Sequence, residues 1–158
     1  MEFPELFHRG LSNKGALTEE GYISTAAFSF DDYNGASRND DGFCELSINW
    51  HDSEEAVEKL LNQKKSNTED LQFKVGYCTI SLPFMKQMLK SALDKGDFSY
   101  ERRPIEAGNS ETESNPFHGN LLMKNTLSKN ARKNIQHSLA QIAGNNITFR
   151  DEFKLDEK

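Results

Sequence analysis

Cysteine is scarce: the chain carries only Cys44 and Cys78, each inside a β-like run. Two such residues are too few for a disulfide scaffold, and their separation fits no zinc-ligand spacing. Both read as buried free thiols in a reducing compartment. Long apolar runs are missing as well, and none approaches the roughly 20 residues that a membrane-spanning helix needs. The first residues are acidic and broken by Pro4, without the basic and apolar regions of a secretory leader. A cytoplasmic protein with no membrane partner is the expectation. The sequence also lacks the phosphate-cradling GxxxxGK[ST], the dinucleotide GxGxxG, the zinc-binding HExxH and the nucleophile-elbow GxSxG. The acidic stretch 31–42 is no calcium loop, because Tyr33 falls on the third position and Gly42 on the twelfth, where carboxylates are required. No metal site is expected.

What the chain does have is phenylalanine, eleven residues in 158, within an apolar fraction of only 35%. Aromatic side chains bury large areas each, so a Phe-rich core wrapped in long polar loops follows. The length suits one domain, since domains cluster near about 100–150 residues. We expect that domain to span 1–150, followed by a flexible acidic tail over 151–158.

Hydrophobic periodicity sorts the elements. Over 43–50, Cys44, Leu46, Ile48 and Trp50 alternate with mostly polar residues, a period of two that marks a strand covered on one face. Further strands are predicted over 6–9, closed by Gly10, and over 23–30, 73–80, 98–102, 118–123 and 146–150. Helices are predicted over 53–62, with Asp52 as cap and Glu55 as its partner, over 82–93, and over 129–143. In the last, Ala131, Ile135, Leu139 and Ile142 share one side, and Gly144 stops the helix. Strands and helices mix without regular βαβ alternation. This favours an α+β fold with one mostly antiparallel sheet packed against about three helices. The expected core is Phe28, Leu46, Ile48, Trp50, Leu60, Val75, Met88, Leu89, Ile135, Leu139 and Ile142.

Charge is distributed unevenly. Residues 1–113 hold 12 Lys/Arg against 21 Asp/Glu, whereas 114–150 contain Lys124, Lys129, Arg132, Lys133 and Arg150 and no acid. Lys129, Arg132 and Lys133 stand at i, i+3 and i+4 and form one cationic helix face. Such a face suits RNA, a nucleotide or an acidic protein patch.

Candidate chemistry is sparser. His8 and His118 each lie near a glycine at a strand edge, and imidazole titrates near neutrality, so the two suit acid and base roles in phosphodiester cleavage. The opening Phe7-His8-Arg9-Gly10 is similar to that of arginine-serine-glutamate ADP-ribosyltransferases. Ser24-Thr25 and Glu111-Thr112-Glu113 stand where that pattern has its serine and its E-x-E. The resemblance covers these three short pieces. It implies NAD as cofactor, Arg9 on the dinucleotide phosphate and Glu113 stabilising the ribose cation. Arg132 and His137 also match the R-x4–6-H pattern of HEPN ribonucleases, an all-helical family.

Set against these leads is an ordinary reading of the same residues: a surface arginine, solvated acids and a structural histidine. The leading expectation is therefore a small non-catalytic binding or accessory domain that meets an anionic partner through 124–133. No cofactor belongs to that reading. The alternative is a small enzyme acting on a nucleotide or nucleic acid, whose site would join His8 or Arg9 to His118.

Overall fold

The structure is a computed structural model and describes residues 4–28, 30, 42–51, 53–64, 69–103 and 116–150. Among the described residues six strands form one antiparallel sheet: β1 (Leu6–Leu11), β2 (Phe43–Asn49), β3 (Gly76–Ser81), β4 (Phe98–Arg102), β5 (His118–Lys124) and β6 (Ile147–Phe149). Their order across the sheet is β4-β5-β2-β1-β3-β6. Four α-helices accompany it among the described residues: α1 (Glu54–Leu61), α2 (Leu82–Met88), α3 (Lys90–Lys95) and α4 (Lys129–Ala143). This is the expected α+β architecture. Among the described residues no helix is long and apolar enough to cross a membrane.

The period-two alternation of β2 divides the sheet into two faces. Cys44, Leu46 and Ile48 point to one side, in register with Met123, Leu121 and Gly119 of β5. Phe7 and Ile80 stand opposite each other on the same side. Against this face pack Met85 of α2 and Ile135, Leu139 and Ile142 of α4, all within one buried cluster. Ten of the eleven expected core residues are buried, and Met88 is partly buried against the cluster. The other face carries His8, Ser47, Asn49, His118 and Asn120. Helix α1 leans on its β1–β2 half.

Local expectations needed four corrections. The segment 23–30 is not a strand: Thr25–Phe28 form a 3₁₀ turn beneath α4. Side chains claim its backbone, since Arg9 Nε donates to the Ala27 carbonyl and Gln136 Nε2 to that of Phe28. Ser24 Oγ accepts from Ala26 N–H, a local turn bond that competes with a ladder. Second, α1 is capped by Ser53, which accepts from Ala56 N–H, whereas Asp52 lies outside the described residues. Third, the helix over 82–93 is two helices that meet at Leu89, and β3 begins at Gly76 rather than at residue 73. Fourth, Gly10 does not close β1 but lies inside it, where the Phe73 ring packs directly against the strand in the space a Cβ would fill.

Candidate functional site

The ladder registers build a polar row straight across four strands. His8 faces Thr79 on β3 and Asn49 on β2, and Asn49 faces His118 on β5. Two strand spacings separate the histidines, roughly 10 Å, with Asn49 between them. His8 is 6% exposed, its Nδ1 lies 3.0 Å from Thr79 Oγ1, and its ring rests on Tyr77. Asn49 is 1% exposed and donates through Nδ2 to the Ala56 carbonyl of α1 at 2.6 Å, tying helix to sheet.

His118 ends the row. Its Nδ1 is 2.8 Å from the Arg103 carbonyl and its Nε2 is 3.2 Å from Ser47 Oγ. A carbonyl only accepts, so Nδ1 carries the hydrogen; in the neutral ring Nε2 then accepts from the serine hydroxyl. Burial holds the His118 pKa below its usual value. The Arg103 carbonyl and the carboxylates of Glu45 and Glu101 oppose that shift, and the Arg103 charge adds to it. The imidazole is thus neutral at pH 7. Beside it, Glu101 Oε2 accepts from Asn120 Nδ2 and Arg103 Nη1, both at 3.3 Å.

Arg9 points to the opposite face of the sheet. Its Nε donates to the Ala27 carbonyl at 3.2 Å and its Nη1 to the Ser47 carbonyl at 2.8 Å. Opposite it in register is Cys78, whose thiol burial pushes up to about 12, with the Arg9 charge acting the other way. Cys44 and Cys78 are both buried and form no disulfide. The structure therefore sets His8 and His118 in one row and Arg9 on the other side. Ser24 is engaged locally, donating to the Gly15 carbonyl. Glu111 and Glu113 lie outside the described residues.

The basic residues gather where β5 hands over to α4. Lys124 ends β5, Ser128 caps α4 by accepting from Ala131 N–H, and no acid occupies the first turn. Lys124, Lys129 and Lys133 are exposed, Arg132 is half-buried, and the stripe Ile135, Leu139, Ala140, Ile142 and Ala143 is buried. Cations at a helix N-terminus add to the positive end of the helix dipole instead of offsetting it. His137 is exposed and sits five positions from Arg132, about 140° around the helix.

Sequence reasoning passed over Ser47, Asn49, Glu101 and Asn120. Ser47 and Asn49 lay on the polar side of the clearest alternation, where they read as solvated. Their one signal was that two potential partners, His8 and His118, also sit on strands. Gly119, the glycine beside His118, leaves no space for a ligand: a Cβ there would meet the Glu101 carbonyl at 2.6 Å and Trp50 at 3.4 Å. No family model, curated protein or solved structure matches this chain.

Proposed function

We propose that this chain is a small binding domain that contacts an anionic partner through the N-terminal half of α4. The observation that carries the reading is the placement of Lys124, Lys129 and Lys133. All three are exposed around one helix start, in a stretch, 114–150, without a single acid. The opposite side of α4 is committed to the core, so the charged side faces outward. The charges reinforce the helix dipole, which weakens the helix slightly and strengthens the local positive potential. The chemistry suits phosphate groups or carboxylate clusters, whether of RNA, a nucleotide or an acidic protein patch.

Fluorescence anisotropy with a labelled single-stranded RNA oligonucleotide, and with a polyglutamate peptide as the second arm, tests this. Three phosphate contacts would weaken RNA binding about 20-fold between 50 and 200 mM salt, at a slope near 0.7 per contact. Replacing Lys129, Arg132 and Lys133 with alanine should lower affinity mainly at low salt and flatten that slope. Because Arg132 is half-buried, a second variant with Lys124, Lys129 and Lys133 replaced confines the change to exposed positions. Wild-type binding of both probes by both variants at low salt overturns the reading.

A further inference from the structure

The second surface is the β2–β5 part of the polar sheet face, where Ser47 is exposed, and it stands independently of α4. We propose that Ser47 and His118 form a nucleophile–base pair that accepts the acyl group of a small, uncharged carboxylic ester. Three features of the geometry carry this. Ser47 is exposed in the middle of β2, so its hydroxyl is reachable. His118 Nε2 lies 3.2 Å from that hydroxyl as the acceptor, because the Arg103 carbonyl at 2.8 Å holds the hydrogen on Nδ1. A serine gains nucleophilicity when a base oriented by a third group takes its proton, and here the orienting group is a main-chain carbonyl. Glu45 and Glu101 act favourably on the charged form of the ring, so they stabilise the imidazolium that appears when the proton moves.

The same carboxylates select the substrate. They repel a phosphate or carboxylate ligand but leave a neutral ester unopposed. The candidate donors for the reacting carbonyl are the Asn120 carboxamide, directly across the ladder from Ser47, and the Arg103 guanidinium, which shares the Glu101 carboxylate oxygen with it. Both now rest on Glu101 Oε2 at 3.3 Å, long bonds that can be exchanged for a developing oxyanion. In the first step the Ser47 Oγ–carbon bond forms as the Oγ proton passes to His118 Nε2. Collapse of the adduct breaks the ester C–O bond, and the alcohol leaves with the proton from Nε2. Water then adds by the same route, releasing the acid and restoring the serine.

The test uses the whole chain with two probes, a fluorophosphonate and 4-nitrophenyl acetate. The fluorophosphonate should phosphonylate Ser47, with fluoride leaving and the serine proton taken by His118, and peptide mapping should find the adduct there. Ester turnover should fall to the buffer background in Ser47→Ala, which should melt at the wild-type temperature because the side chain is exposed. His118→Gln should slow both reactions by at least about 100-fold, as loss of a general base does. His118 is partly buried, so a second measurement guards against misfolding. In Ser47→Cys, the new thiol is the one exposed cysteine beside buried Cys44 and Cys78. Iodoacetamide should alkylate it faster than in the Ser47→Cys, His118→Gln double variant. An unlabelled Ser47 in the folded wild type, unchanged ester turnover in Ser47→Ala, or equal alkylation rates in the two cysteine variants would each overturn the assignment.

Discussion

Replacing Asn49 with aspartate exchanges one atom pair for another of nearly equal size and reverses its hydrogen-bonding sense. In the native chain Nδ2 donates to the Ala56 carbonyl at 2.6 Å from a position that is 1% exposed. An ionised aspartate sets an acceptor against that acceptor, with no water to dilute the repulsion. Loss of the neutral bond alone, as in Asn49→Ala, should cost about 1–3 kcal/mol including the small void. A buried carboxylate set against that carbonyl should cost about 3–5 kcal/mol at pH 7. For a chain of this size, each kcal/mol lowers the melting temperature by about 2–4 °C. The sign of the pH dependence follows from linkage. Burial raises the aspartate's folded-state pKa above its unfolded value, so the penalty is greatest at high pH. It shrinks as pH falls, when the carboxyl takes a proton and donates to the carbonyl. Protonation of the neighbouring His118 would act in the same direction. Urea unfolding of wild type, Asn49→Ala and Asn49→Asp from pH 5 to 8 measures this. If Asn49→Asp is no less stable than Asn49→Ala at pH 8, or if its deficit grows toward pH 5, Asn49 does not tie α1 to the sheet as described.

Two further outcomes follow from the same face of the sheet. Gly10→Ala should destabilise by about 1–3 kcal/mol, because its Cβ would occupy the space of the buried Phe73 ring; a chemical melt measures it, and adding Phe73→Leu should recover part of the loss. His118 has a folded pKa below its unfolded 6.5, so its contribution is fully present above about pH 6.5 and is lost as pH falls through the folded value. His118→Gln should flatten the stability curve in that window relative to wild type, and parallel curves would show that another group controls the acid limb.

The six strands were legible to very different degrees. β2 announced itself through four apolar residues at period two, and α4 through its stripe and stop, because both have one dry and one wet face. The segment 23–30 misled for a physical reason: Ile23, Ala27, Phe28 and Phe30 are buried, but the Ala27 and Phe28 carbonyls go to Arg9 and Gln136, 18 and 108 residues away. No local pattern contains those partners. Gly10 misled similarly, since a glycine that seats a ring looks the same in sequence as one that ends a strand.

The sequence by itself determined the class of fold, most of the core and the outward face of α4, because burial follows from periodicity within a single element. The basic stretch was legible for the same reason, as contiguous charge remains contiguous after folding. Only the tertiary structure decided which polar groups meet. His8, Asn49 and His118 share a row because β1, β2 and β5 adjoin in one register, and a shift of one residue would have turned each to the opposite face. That same register parity sent Arg9 to the core side, away from the histidine beside it. It also brought Ser47 to His118 across 71 residues of chain.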